Sequence, residues 1–232
     1  TWTKQAASSE TYRHWTDYAT DFVNQVALGN ANNASYSADG LTWGDYSFEA
    51  PQLELRRVIF TPYGFQAVGF RKNTSTRGEH AIAAGSQSGI DASSWALSYE
   101  SGDSYSGLVD IASIGGTTFL AVGYQNQFKS PLLIRTSNFG SWDAITLPGN
   151  FDSPLHSIHC TATGLTLLGG VGWIARGQFS GNNTSWTKNN NLVVNNKPKA
   201  TTLESRLTKT CPTPARTTKT MAPKMKLSKA KI

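Results

Sequence analysis

Apolar and polar residues alternate with a period of two through most of the first 190 positions, in phased blocks bounded by Gly, Pro, Asn and Ser. In one such unit Leu55-Arg-Arg-Val-Ile-Phe60 reads as a strand, and Thr61-Pro-Tyr-Gly64 as the turn that ends it. Phe65–Phe70 follows as a second strand, small and branched enough to be buried on both faces. A variable loop over 70–80 leads to a third strand, His80–Ala84, then a tight turn, then a fourth strand, Trp95–Tyr99. The second-strand pattern recurs as Gly64-Phe-Gln-Ala-Val-Gly69, Gly116-Thr-Thr-Phe-Leu-Ala-Val-Gly123 and Gly164-Leu-Thr-Leu-Leu-Gly169, with a weaker copy at Phe22–Gly29.

A second element keeps phase with the first. Ser37-Ala-Asp-Gly-Leu-Thr-Trp43, Gly89-Ile-Asp-Ala-Ser-Ser-Trp95, Thr136-Ser-Asn-Phe-Gly-Ser-Trp142 and Ser180-Gly-Asn-Asn-Thr-Ser-Trp186 align without gaps. Each carries Asp or Asn four residues before a Trp and Ser or Thr just before it. Successive Trp residues lie 52, 47 and 44 positions apart, the length of a four-stranded antiparallel propeller blade. The residue types follow from turn chemistry. An Asp or Asn side chain accepts hydrogen bonds from backbone N–H groups two or so residues on, and the hydroxyls add further local bonds. The Trp is expected to cover the turn and pack between neighbouring blades.

The pattern at 37–43 resembles the Asp-box, or bacterial neuraminidase repeat, and the other three segments resemble degenerate copies of it. That resemblance spans about residues 1–190 and implies an all-β fold, a β-propeller of four-stranded blades. It assigns Asp39, Trp43, Asp91, Trp95, Asn138, Trp142, Asn182 and Trp186 to structural positions at the blade periphery, away from any central site. The family includes glycosidases, sorting-receptor ectodomains, photosystem assembly factors and phage-tail propellers, so it implies the fold far more strongly than an activity.

The expected blades run approximately over 3–50, 51–101, 102–148 and 149–195. Thr1-Trp2 stands 41 residues before Trp43 and reads as the end of a fifth copy, so a larger propeller is expected. Residues 196–232 fit no blade: they are rich in Thr, Lys and Pro and are expected to be a disordered basic tail. The formal net charge of +6 belongs to this end of the chain. Residues 1–188 hold 11 Lys and Arg against 14 Asp and Glu, net −3, whereas residues 189–232 hold 10 against one, net +9. Nucleic acid or another anionic partner is therefore expected only through the tail. The run Thr220–Leu227 back-translates in a neighbouring frame to an acidic stretch, so a frameshift near 188–205 is a second account of it.

No catalytic set is legible. The Arg-Ile-Pro motif of sialidases is absent, and Arg56 and Arg57, adjacent in a strand, are expected to diverge. The carboxylates Asp17, Asp21, Glu49, Glu54, Glu79, Glu100, Asp103, Asp110, Asp143 and Asp152 show no spacing that marks a glycosidase pair. His156 and His159 are expected on opposite faces of a strand, which leaves no shared metal site, and no cofactor motif is present. Cys160 reads as a buried free thiol, and Cys211 lies in the tail. These features point to a non-catalytic recognition or structural module. Its expected ligand is a protein or a glycan, bound through the loops at 70–80 and 124–131. A secreted, cell-surface or virion-associated setting is the expectation that accompanies it, with a sialidase-like glycoside hydrolase as the alternative.

Overall fold

The structure is a computed structural model that describes residues 14–30, 32–48, 52–72, 78–180 and 183–189. These all fall within one unit, residues 1–193; residues 194–232 form a second, and the expected tail with Cys211 lies there, outside the described residues.

The alternating blocks form four antiparallel sheets, each of four strands in sequence order. The first holds β1 (Trp15–Thr20), β2 (Gln25–Gly29), β3 (Asn33–Ser37) and β4 (Gly44–Ser47). The second holds β5 (Leu53–Thr61), β6 (Gly64–Lys72), β7 (Glu79–Ser86) and β8 (Ala96–Glu100). The third holds β9 (Gly107–Ile114), β10 (Thr118–Gln125), β11 (Ser130–Thr136) and β12 (Asp143–Ala144). The fourth holds β13 (Leu155–Cys160), β14 (Leu165–Gly170), β15 (Trp173–Ser180) and β16 (Asn183–Asn189). A single 3-10 turn, Ala92–Ser94, is the one helical element among the described residues.

The sheets stack face to face in chain order, with β1 against β5, β5 against β9 and β9 against β13. Each seam is a separate apolar core. Val26, Leu28 and Phe48 meet Leu55, Phe65 and Trp95 in the first. Val68 and Ala83 meet Leu108, Phe119 and Ile134 in the second, and Leu120, Val122 and Leu133 meet Leu155, Leu168 and Ala175 in the third. A middle sheet therefore needs apolar side chains on both faces. That is why Phe65–Phe70 and Phe119–Tyr124 are buried without interruption.

All four first strands carry a bulge at the same register. Pairing skips one residue between Trp15 and Asp17, between Leu55 and Arg57, between Leu108 and Asp110, and between Leu155 and Ser157. A glycine faces each of these bulges. A Cβ on Gly69 or Gly123 would collide with the carbonyl oxygen of Glu54 or Gly107. The fourth sheet differs from the sequence alignment here. Gly170, not Gly169, pairs with Leu155 as Gly69 pairs with Leu55 and Gly123 with Leu108. The Gly164–Gly169 block is thus one residue out of step with its homologues, because the turn between β13 and β14 is longer than its Thr61–Gly64 counterpart.

Candidate functional site

Strand ends sort into two groups. The turns from third to fourth strand lie at one end of the sheets; the loops from second to third strand, and the links between sheets, lie at the other. Four of the ten carboxylates singled out in the sequence, Glu54, Glu79, Glu100 and Asp103, gather at the second end around sheets two and three. Each has a partner. Glu54 binds Arg56 at 3.6 Å and Lys72 at 3.0 Å, Glu100 pairs with Arg71, and Glu79 accepts a 2.6 Å hydrogen bond from the Tyr124 hydroxyl. The Arg56 guanidinium also lies over the Phe70 ring, 4.5 Å from its centre. Burial, with the Glu79 carboxylate beside it, pushes the Tyr124 phenol far up, so this hydroxyl stays protonated as a donor.

The loop from β10 to β11 is the unusual segment. Asn126, Gln127 and Phe128 all have left-handed backbone, with φ of 53°, 58° and 64°. L-residues visit that region singly, and each costs about 1–2 kcal/mol there. The strain is held by hydrogen bonds from the link between sheets: Asn126 N–H donates to the Asp103 carboxylate at 2.6 Å and Gln127 N–H to the Tyr105 carbonyl at 3.3 Å. The link is itself laced to β7, since Glu79 N–H donates to Ser104 O and Ser106 N–H to Glu79 O. The result presents Phe128, 54% exposed, flat against the Tyr124 ring at 4.2 Å. Exposed Tyr105 stands in the same link.

At the opposite end lie the recurring turns that precede each Trp, placed as follows. Asp39 accepts from Leu41 N–H at 2.8 Å and Thr42 N–H at 2.7 Å, while Ser37 Oγ accepts from Gly40 N–H at 2.8 Å. Those backbone donors hold the Asp39 carboxyl below the usual range. Asp91 accepts from Ser93 Oγ and Ser94 N–H, with the same consequence. Asn138 accepts from Gly140 N–H and Thr136 Oγ1 from Phe139 N–H. Asn182 lies outside the described residues. The gapless alignment leaves Gly89 where the other copies have a hydroxyl. The structure supplies one from Ser86, whose Oγ accepts from Gly89 N–H at 2.8 Å, because this turn is three residues longer.

The Trp side chains link sheets by a register rule that the sequence did not suggest. Trp95 Nε1 donates to Tyr46 Oη and Trp142 Nε1 to Ser98 Oγ, both at 3.1 Å. Each acceptor stands three residues after the preceding Trp. By that rule Trp186 should find residue 145, which is Ile, and Trp186 Nε1 is buried without a hydrogen-bond partner among the described residues.

No family model matches the chain, and no curated protein matches it. Solved structures do. A YCF48 structure from Cyanidioschyzon merolae is similar over 77% of this chain and 56% of its own, at 16% identity and a TM-score of 0.54. The virginiamycin B lyase of Staphylococcus aureus, an inactive variant with quinupristin, matches 79% of this chain and 58% of its own, at 10% identity and 0.54. The Cps50 (Swd1) β-propeller domain of Myceliophteria thermophila matches 81% and 60%, at 9% identity and 0.53. The fold is a β-propeller. The chain spans less than two thirds of each of these structures, and identities this low carry the fold alone.

In a propeller the first strands surround the axis, so the four bulges set Asp17, Arg57, Asp110 and Ser157 in equivalent axial positions. Two of them tie blade to blade. Asp17 accepts from Val58 N–H at 2.8 Å and Asp110 from Ile158 N–H at 2.9 Å. Arg57 lies between them, 3.6 Å from each carboxylate. Arg56 and Arg57 therefore have different partners, Arg56 the Glu54 and Phe70 side chains near the loop end and Arg57 the axial carboxylates of the neighbouring blades. Burial raises the Asp110 carboxyl above the usual range, against the pull of its backbone donors and Arg57. His156 occupies the bulge of β13, which breaks the strict alternation assumed for the His156 and His159 pair; both imidazoles are exposed. No group of three metal-binding side chains occurs among the described residues. Cys160 is half-buried rather than fully buried, with Sγ 3.5 Å from Thr166 Oγ1. No helix among the described residues is long and apolar enough to cross a membrane.

Proposed function

We propose that this chain is a non-catalytic Asp-box β-propeller module that recognises a protein partner through the loop end of its second and third blades. The observation that carries this reading is the run of three consecutive left-handed residues that holds Phe128 out in solvent. Strain of that kind persists only where the surroundings over-determine it, and it clusters at binding sites. Here Asp103 and the Tyr105 carbonyl fix the loop, and Tyr124 supports the exposed ring from below. Arg56 and Lys72 over Phe70 add cationic and aromatic character beside it. Such a mixture of aromatic and Arg groups suits a protein surface. Support for the Asp-box reading comes from the turns, where Asp39 and Asp91 each close a backbone loop that ends in a Trp.

The test is capture with the full chain as bait, run beside a glycan array. A protein partner bound by the wild-type chain should lose at least about tenfold in affinity to Phe128→Ala, since truncating a central anchor costs ~2 kcal/mol. A double variant, Phe128→Ala with Tyr105→Ala, that keeps wild-type affinity and thermal stability would place recognition elsewhere. Binding on the array alone would replace protein by glycan at this site.

A further inference from the structure

The seam between blades two and three and the seam between blades three and four differ at the end that carries the turns from third to fourth strand. In the former, Pro62-Tyr63 joins β5 to β6, and the Tyr63 ring reaches the third blade, 6.4 Å from Phe119 and 5.9 Å from Phe139. Those two rings are 4.4 Å apart, so three aromatic groups close this end of the seam. In the latter, the matching turn, between β9 and β10, is Gly115-Gly116-Thr117. Gly115 and Gly116 have left-handed backbone, with φ of 60° and 77°, and a Cβ on Gly116 would meet nothing within 4 Å. This turn puts no aromatic ring over its seam.

A cleft of about 460 Å³ lies there instead. Its polar walls come from the face of the third blade that packs on the fourth. Leu120, Arg135 and Asp143 stand in register across β10, β11 and β12, and Leu120 is buried in the seam core. Arg135 and Asp143 continue that row outward and line the cleft, where Thr118, Ser137 and Ser141 add hydroxyls. Ile114 and, from the fourth blade, Phe179 form an apolar wall. The Arg135 side chain is 22% exposed and that of Asp143 75%, with 3.8 Å between guanidinium nitrogen and carboxylate oxygen. The carboxylate therefore stands in solvent at the mouth with the guanidinium recessed behind it.

We propose that this cleft binds a neutral sugar ring. Its volume is in the range of small-molecule sites, and its lining selects the class. The hydroxyls on the edge of a sugar ring donate and accept at once. They are matched by an acceptor in Asp143, donors in Arg135 and hydroxyls that do either. The C–H face of the ring is apolar and suits Phe179 and Ile114. An anion would meet the Asp143 carboxylate at the mouth, and an apolar ligand would bury the charged pair and the hydroxyls without compensation. The cleft is at the opposite end of the sheets from Phe128, so this site is separate from the loop surface proposed for a protein partner.

The test is saturation-transfer NMR on the full chain with glucose, galactose, mannose and N-acetylglucosamine, each as the methyl glycoside and as the end unit of an oligosaccharide. A single ring is expected to bind with a Kd on the order of 1 mM, so probes are taken to about 20 mM. Equal affinity for the lone ring and the oligosaccharide assigns the ligand to the ring itself, and tighter binding of the oligosaccharide assigns it to a glycan chain; both support the proposal. Thr117→Tyr, which copies Tyr63 at the residue before the second strand, should fill the cleft and weaken binding at least about tenfold with thermal stability unchanged. Asp143→Ala, at an exposed position, should weaken it at least about fivefold. Phe128→Ala should leave it unchanged. No binding of any probe overturns the proposal, as does sugar binding that survives both cleft variants or that inorganic phosphate displaces. Binding lost in Phe128→Ala but kept in the cleft variants overturns it too, and moves the sugar to the loop end.

Discussion

The seam between blades one and two and the seam between blades three and four have the same backbone and the same kind of apolar core, yet differ at the rim. In the first, Trp95 is only 9% exposed, its Nε1 reaches Tyr46 Oη, and the Tyr46 hydroxyl donates in turn to the Gly89 carbonyl at 2.8 Å. In the second, Trp186 has Phe151 and Phe179 at its edge, but its N–H has no acceptor among the described residues, and position 145 is Ile. The difference separates two functions of the repeated Trp. Ring burial is present at both seams and holds blade on blade; the hydrogen bond is an addition that one seam lacks. The hydroxyl of Tyr46 feels the burial too, which pushes its pKa up to about 12 and keeps it protonated across the physiological range.

Trp95→Ala is the strongest way to break the first seam. It removes a buried ring between Phe48 and Tyr46 and should cost about 3–5 kcal/mol, read from the shift in a urea unfolding midpoint. A loss under about 1 kcal/mol would mean that the blades are held by their first strands alone, with the rim Trp dispensable. Tyr46→Phe isolates the polar part. It keeps the ring packed on Phe48 but leaves the Trp95 N–H and the Gly89 carbonyl without their partner, an expected loss of about 1–3 kcal/mol. Equal losses in the two variants would argue that the hydrogen bond, not the ring, carries the seam.

Much of this was legible in the chain itself, and the exceptions have physical causes. Period-two alternation and recurring Trp turns were enough to place the sixteen strands in four sheets, because each signal is local and each repeat confirms the others. The acceptors Tyr46 and Ser98 were not legible, since they belong to the preceding blade and come together with Trp95 and Trp142 only on stacking. Nor was the one-residue slip at Gly169, because a turn of different length changes register without disturbing alternation. The loop at 124–131 stood out as variable, but its strain did not. Asn126-Gln127-Phe128 is an ordinary tripeptide until Asp103 and Tyr105 hold it in left-handed backbone.

The axis and the turns offer a comparison that pH can sharpen. Burial raises the Asp110 carboxyl above 3.8, so the folded chain takes up this proton at a higher pH than the unfolded chain. The contribution of Asp110 to stability therefore falls as the pH rises from 3.8 through the folded value. Asp39 and Asp91 are lowered by their turn donors, so their contributions are complete above 3.8 and are lost as the pH falls through the folded values. Urea unfolding of Asp110→Asn and wild-type chains between about pH 3 and pH 6 should show the wild-type advantage shrinking as pH rises. A wild-type advantage that grows over that window would mean that Arg57 and the backbone donors outweigh burial at the axis.

The smallest effect expected is a repair. Ile145→Thr places a hydroxyl where Tyr46 and Ser98 stand in the earlier seams, within the register that led Trp95 and Trp142 to their acceptors. The substitution gives up part of a half-buried apolar side chain packed against Trp186 and gains one hydrogen bond to a buried indole N–H that has no partner among the described residues. These terms are each about 1 kcal/mol and opposed, so the single variant should be near neutral. The interaction is isolated by a double-mutant cycle with Trp186→Phe, which keeps a ring but removes the donor. A favourable coupling of about 0.5–1.5 kcal/mol between the introduced hydroxyl and the Trp186 indole is expected. Zero coupling would show that the rim bond at the earlier seams depends on more than the three-residue register. It would then rest on the fuller outer strands β4 and β8, which the two-residue β12 does not match.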